Sequence, residues 1–531
     1  MKHLFIYIFC FIIVPAEAQK NVPVIFTIHV NDTLQQMRNI GASACWYGEE
    51  VGNWPEPDRR RMAELLFSRK FDKSGRPKGI GLSAFRFNIG AGTAEQGDSS
   101  GIRNPARRVE CFLSPDGTYH WNKQQGYTWL LQQAKHYGVE NLIAFVNSPP
   151  VQFTKNGLGY KTEKDYSSNL RDDRYTDYAD FLAEVAAHFD KEHLHFNYIS
   201  PVNEPQWDWS NKPGEATQEG SAWTNAEIYK VVKALSVALS TKQLTTRILV
   251  TEAGTLEYLY NAGGKAGKQV QAFFNSASPM YIGNLPNTTP YVEGHGYFTE
   301  TGDTRMTQVR NNLRDTLAAY GHNLEFWQSE YCMLGDGFKD GTKGGRSAMD
   351  CALFLAKVIN TDITEGNASA WHYWNSFEPG PADSNTRYYL VALNPKRSSD
   401  TARRYTITKN AWALGHYSLF VRPGMYRVKT TRNDSTSNIA AEQQIMISAF
   451  TNRQSGGVVV NMINYTTHDT TAALALQGNK LPLMLTGRYV TTYKEQDNLA
   501  PYPINSRPVN GVFTVSLPAR SVSSFIFSRA K

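Results

Sequence analysis

Two kinds of apolar pattern alternate along most of the chain. Short apolar runs ending in polar residues or glycine recur at 39–44, 82–89, 141–147, 195–202, 247–251, 291–297, 324–329 and 368–374, and stretches of helical periodicity lie between them. The clearest helix is 224–239, where Ile228, Val231, Val232, Leu235 and Leu239 share one face and Thr224 stands three residues before Glu227, the spacing of a capping box. A shorter helix is predicted at 58–67. Eight strand–helix units in series predict a parallel sheet, and one of that length is most economically closed into a (β/α)8 TIM barrel. The alternative is a doubly wound open sheet. It would want a glycine-rich phosphate loop after an early strand, and Asn88-Ile-Gly-Ala-Gly92 lacks the third glycine and a clean helix start.

After about Val421 the helical period disappears, and alternating runs at 458–463, 483–491 and 512–517 follow one another between Gly, Asn, Pro and Ser turns. They predict a β-sandwich side domain, which an isolated N-terminal strand at 22–30 would complete. The expected organisation is a signal peptide over 1–18, an N-terminal strand of the sandwich within 19–36, a catalytic barrel over 37–420 and the sandwich over 421–531. With a shared strand and no Pro-, Gly- or Ser-rich linker, the sandwich reads as a brace for the barrel.

The signal peptide rests on Met1-Lys-His3, the apolar run 4–14 and the Ala16-Glu-Ala18 cleavage pattern. That run is too short to span a bilayer, so the chain is expected to be exported, periplasmic or extracellular, without membrane insertion. Cys10 leaves with the signal. Cys45, Cys111, Cys332 and Cys351 remain, none with C-x-x-C spacing, and their pairing stays open.

A net charge of +7 is a mild bias. Arg59, Arg60 and Arg61 sit in a predicted helix with no interleaved aromatics, which argues against nucleic-acid binding. The 12% aromatic content leaves Trp and Tyr available to line a cleft, above all in the loop 206–223 with Trp207, Trp209 and Trp223. A monomer acting on a polysaccharide or oligosaccharide fits these features.

In a TIM barrel the reacting groups stand at the carboxyl ends of strands. Glu204, Glu252 and Glu330 all qualify; Glu325 begins its run and reads as an entry-side carboxylate. Glu330 follows Glu204 by 126 residues, which puts them three strands apart and facing each other across the mouth. Carboxyl groups about 5 Å apart there would suit a retaining glycosidase. Such a pair needs one carboxylate ionised and one protonated, with Arg86 supplying positive charge and Tyr297 a hydrogen bond. Glu252, which ends the fifth strand, is a rival whose expected role is support or substrate hydrogen bonding. No His-Glu-x-x-His or comparable ligand set accompanies His195 or His295, so neither a metal nor another cofactor is expected.

Ser200-Pro-Val-Asn-Glu-Pro205, Phe85-Arg-Phe-Asn88, His295-Gly-Tyr297, Gln328-Ser-Glu330 and Trp371-His-Tyr-Trp374 together resemble glycoside hydrolase family 30 in their order. Leu414-Gly-His-Tyr-Ser-Leu-Phe-Val-Arg-Pro-Gly424 is similar to that family's junction of barrel and side domain. The resemblance implies a retaining mechanism with Glu204 as acid/base and Glu330 as nucleophile. It places Asn203 on the sugar 2-hydroxyl, Arg86 and Tyr297 around Glu330, and Trp374 as the floor of the innermost sugar site, with His295 also in the substrate site.

Two further stretches bear on sugar type. In Ala42-Ser-Ala-Cys-Trp46, Trp46 with Glu49 and Glu50 is expected to touch the innermost sugar, and Asn147-Ser-Pro-Pro150 to line the same cleft. With Trp207 on the long loop, the arrangement looks most like the family's endo-β-1,6-galactanases. β-1,6-Glucanase, glucosylceramidase, xylanase and β-fucosidase activities are the alternatives within the family. A non-catalytic glycan-binding protein is the alternative outside enzymes.

Overall fold

The computed structural model describes residues 23–261, 263–321, 323–335, 345–394, 404–478, 482–504 and 508–529. The signal peptide expected at 1–18 lies outside them. Eight parallel strands close a barrel in chain order: β2 (Asn39–Ser43), β3 (Ala84–Ile89), β4 (Asn141–Val146), β5 (Tyr198–Ser200), β6 (Arg247–Ala253), β7 (Thr288–His295), β8 (Glu325–Tyr331) and β9 (Ala370–Tyr373). β9 pairs with β2, Asn39 opposite Ala370, so no edge is left open and the doubly wound alternative is excluded. All eight predicted runs are strands.

β5 is the shortest because Pro201 has no N–H to continue the ladder. The predicted long helix is Asn225–Thr241, and both halves of its capping box form, Thr224 with the Glu227 amide and Glu227 with the Thr224 amide. Below the cleft the barrel is plugged by Ile143, Leu249, Tyr291 and Trp327, with Tyr291 stacked on Trp327 at 4.4 Å. Glu325, at the entry end of β8, pairs with Arg38 at 2.5 Å, away from the chemistry. His195 likewise faces Asp190 at 2.8 Å before β5 begins. Cys45, Cys111, Cys332 and Cys351 are buried free thiols.

The side domain takes in β1 (Val24–Gln36), longer than the predicted 22–30. After the barrel come a small sheet of β10 (Phe377–Pro379), β11 (Val391–Leu393) and β12 (Tyr405–Ile407), then β13 (Tyr426–Arg432), β14 (Ile445–Thr451), β15 (Val458–Asn464), β16 (Thr470–Gln477), β17 (Leu483–Thr491), β18 (Ala500–Pro501), β19 (Val512–Leu517) and β20 (Ser521–Arg529). Nine strands bond in the order β18-β17-β20-β15-β14-β13-β1-β16-β19. Phe513 on the last of these packs at 5.1 Å on Phe527 of β20, six places along the order, so the sheet folds over on itself as a sandwich around Phe26, Ile28, Val460, Leu474 and Phe525.

A separate apolar cluster welds barrel to sandwich. It joins Met349, Leu353 and Ala356 of helix Ala348–Thr364 and Ala413 of helix Lys409–Ser418 to Met446, Ile463 and Val522. Residues 421–531 expressed alone would expose that surface and would lack β1, which bonds to β13 on one side and β16 on the other. The expected result is a fragment without a cooperative thermal transition by circular dichroism, whereas a folded, sugar-binding fragment would contradict the bracing role.

Candidate active site

Glu204 stands four residues beyond the end of β5, and the chain there is pinned from several sides. Tyr178 donates to Pro201 O at 2.8 Å, the Glu204 amide donates to Glu252 O at 2.9 Å, and Trp209 Nε1 donates to Glu204 O at 3.1 Å. Gln206 ties the following loop to the end of β6, accepting from the Gly254 amide at 2.9 Å. Glu204 itself takes φ 42°, Glu252 φ 49°, Trp209 φ 52° and Phe298 φ 61°. Left-handed backbone at two glutamates and two large aromatics, all around one cleft, is strain that only a tightly determined site sustains.

The other reacting groups sit where the barrel register slips. Irregularities fall between Val250 and Ala253, between Gly294 and His295, and between Gln328 and Tyr331, and each adjoins or brackets Glu252, His295 or Glu330. Such bulges re-aim side chains at barrel rims. Arg86 Nη1 donates to Glu330 Oε2 at 2.8 Å and Tyr297 donates to Glu330 Oε1 at 2.9 Å, so both oxygens of that carboxylate are held. Arg86 Nη2 also reaches Glu252 Oε1 at 3.4 Å, and its guanidinium lies over the Phe145 ring at 4.3 Å. His295 bridges Glu204, at 2.9 Å from Nδ1, and Glu252, at 3.0 Å from Nε2.

A carboxyl partner at each ring nitrogen favours the imidazolium. Burial opposes that charge, yet Glu330, Glu204 and Glu252 outweigh it and lift the His295 pKa to about 10. Burial also works against the Glu252 carboxylate, but Arg86, and then His295 and Ser329, hold it down at about 2. Glu204 goes the other way: burial raises its pKa, His295 opposes, and the charge of Glu330 adds to the rise. Two carboxyl groups beside one imidazole, Glu204 and Glu252, are thereby pushed in opposite directions.

Glu204, His295 and Glu330 each bring one atom within 4.8 Å of the others. That bound is compatible with the short carboxyl separation of double displacement, about 5 Å, and not with the wider one of inverting hydrolysis. It is also short enough for a cation, but the donor set does not suit one. Both Glu330 oxygens already accept hydrogen bonds, and both nitrogens of His295 carry protons towards carboxylates.

Above these groups a cavity of about 480 Å³ is lined by Trp46, Asn203, Trp207, Trp209, Tyr297 and Trp374, among others. Trp46 meets Trp374 edge-on at 5.3 Å. Asn203 leaves its Oδ1 without a partner among the described residues. Asn147, one residue beyond β4, is buried with both side-chain polar atoms unpartnered among the described residues, and contrary to expectation it does not line the cavity.

Two more expectations fail. Glu49 does not face the cleft: its carboxylate accepts the Gly126 and Tyr127 amides at 3.1 and 3.0 Å, capping helix Gln125–His136, and Glu50 turns to Trp54 Nε1 at 3.4 Å. Free amides in the first turn of a helix attract a carboxylate more strongly than an open loop does. Trp223 is no cleft wall either. It is 1% exposed and stacks on Tyr178 at 6.2 Å, part of the core beneath the loop.

Sequence reasoning missed Arg107, Glu378 and Phe298, which also line the cavity. Arg107 lies over the Trp46 ring at 4.5 Å and pairs with Glu378 at 3.0 Å. Glu378, four residues beyond Trp374, and Phe298, next to Tyr297, were within reach of the motifs. Arg107 lies in the irregular stretch after β3 and carried no signal.

Glucuronoxylanase XynC of Bacillus subtilis is 21% identical over 367 residues, 68% of each chain. A solved conserved exported protein from Bacteroides fragilis is 32% identical, covers 94% of this chain and all of its own, and superposes with TM-score 0.85. An endo-β1,6-glucanase structure has TM-score 0.63 at 16% identity, covering 97% of this chain and 95% of its own. Residues 23–385 match the model of O-glycosyl hydrolase family 30. With the motifs on the strand ends of a closed barrel and that match spanning more than half of its length, the chain belongs to O-glycosyl hydrolase family 30 and is a glycoside hydrolase.

Proposed function

We propose that this glycoside hydrolase is a retaining endo-glycosidase that cleaves β-1,6-linked galactan side chains of the arabinogalactan type. Glu330 attacks the anomeric carbon, and Glu204 protonates the departing oxygen and then activates water. The carrying observation is the close approach of Glu204 and Glu330 in unlike surroundings. Arg86 and Tyr297 hold the nucleophile oriented. Arg86 and His295 bring two positive charges against two negative ones on Glu252 and Glu330, so a protonated Glu204 leaves this buried cluster neutral. Glu252 is the support that keeps His295 and Arg86 in place.

Trp374 supplies the floor for the innermost sugar, with Trp46 at its edge. Asn203 offers its free Oδ1 to the sugar 2-hydroxyl, and Trp207 adds an aromatic wall. The galactan reading rests on the likeness of these strand ends and of the loop after Glu204 to the family's endo-β-1,6-galactanases. Export rests on the signal pattern at 1–18, in line with the similar exported protein of Bacteroides fragilis.

Digestion of de-arabinosylated β-1,6-galactan, β-1,6-glucan and glucuronoxylan, with products sized over time, tests the substrate. Oligomers of intermediate length from galactan alone are expected. Release from glucan or xylan alone would refute the galactan reading, and monomer as sole early product would refute endo action.

The pH profile tests the acid. Glu204 must hold its proton, so activity persists until the pH climbs through its raised pKa and then falls. His295 pulls that pKa down. His295→Gln should therefore move the alkaline limb of kcat to higher pH; movement to lower pH would exclude Glu204 as the titrating acid.

A further inference from the structure

We propose that Phe298 is the platform for the sugar on the leaving side of the scissile bond, taking a pyranose whose C–H face packs on its ring. The proposal rests on the reading of Glu204 as proton donor. Phe298 is 45% exposed, yet it lines the cavity that holds Glu204 and Glu330. A large apolar ring left open beside buried carboxylates fits a partner with an apolar face and polar edges, and a pyranose has both.

The ring is held in place through its backbone and through Trp207. Its backbone adopts φ 61°, which a phenylalanine enters only under constraint. Arg305 supplies that constraint, donating from Nη1 to Phe298 O at 2.7 Å while its Nη2 holds Glu257 at 2.7 Å. Phe298 then meets Trp207 edge-on at 6.4 Å, and Trp207 meets Tyr258 edge-on at 6.1 Å. Gly254 lets the Trp207 indole approach so closely that a Cβ there would stand 2.4 Å from Nε1. One residue back, Tyr297 donates a hydrogen bond to Glu330, so one peptide unit and that hydrogen bond link the platform to the nucleophile.

The side follows from topology. Trp207 lies three residues after Glu204 beyond β5, and Phe298 follows β7, whereas Trp46 and Trp374 follow β2 and β9. A sugar leaving towards its proton donor meets the first pair, and the sugar held by the nucleophile meets the second.

Phe298→Gly and Phe298→Asn test this, since both residues accept the left-handed backbone and both lack the ring. kcat/KM is measured on β-1,6-galactotetraose, whose leaving group is a sugar, and on β-1,6-galactobiosyl fluoride, whose leaving group is too small to touch the ring. The expected result is a loss of roughly tenfold on the tetraose and a change within about twofold on the fluoride. The melting temperature of the glycine variant should be equal to or above wild type. Equal losses on both substrates, or none on the tetraose, overturn the platform while leaving the function standing. A wild-type chain that cleaves neither substrate overturns both.

Discussion

Glu330→Gln is expected to lower kcat on galactan by about 10⁴-fold or more while leaving the protein folded and able to bind its glycan. The amide has the shape of the carboxylate and its one oxygen can still accept from Arg86 or from Tyr297, but it cannot form and release a glycosyl ester. Removing one partner of a buried ion pair commonly costs about 3–5 kcal/mol. Here the cost is moderated because Arg86 keeps its second carboxylate, Glu252, at 3.4 Å. The measurements are single-turnover hydrolysis, binding of a galacto-oligosaccharide by calorimetry, and melting temperature. Undiminished turnover would remove Glu330 from the chemistry and favour a binding protein whose apparent activity came from elsewhere.

Glu204→Ala carries the second large effect, and its pattern identifies the role. Hydrolysis of unactivated galactan is expected to fall by roughly 10²- to 10⁴-fold, the range for losing a positioned proton donor. A 2,4-dinitrophenyl glycoside needs no protonation of its leaving group, so it should still form the glycosyl enzyme, which then accumulates because no base activates water. Azide fits the space vacated by the carboxylate and needs no such base, so it should restore turnover and release a β-glycosyl azide. A flat azide response would transfer the acid role to Glu252. The structure makes that transfer hard to accommodate, because Arg86 and His295 hold Glu252 ionised.

The barrel was legible because each of its eight strands is a local apolar run and each connection is local as well. The capping box at Thr224 needed only four residues of sequence. The two carboxylates were legible for a related reason: a position at a strand end plus a count of units is enough to set them across a barrel mouth. What failed depended on contacts that no local pattern encodes. Glu49 sits in the short helix Gly48–Gly52 beside a candidate cleft residue, but the amides it caps belong to a helix more than seventy residues later. Trp223 lies among tryptophans that do line the cleft, and only the packing of Tyr178 beneath the loop buries it. Arg107 and Glu378 meet across 271 residues. The sandwich was anticipated in kind, but its strand order could not be, since β1 finds its partners at the far end of the chain.

That strand also shapes how the molecule must be made. Phe26 pairs with Arg432 on one side and with Leu474 on the other, so the first strand synthesised has no partner until nearly the whole polypeptide has followed it. Loop closure over such a span is slow, and both edges of an unpaired apolar strand can meanwhile recruit another chain. A truncation anywhere before β16 would strand β1 with an open edge, so shortened products of this gene should aggregate even when their barrel is complete. β1 is made before the barrel and docks after it.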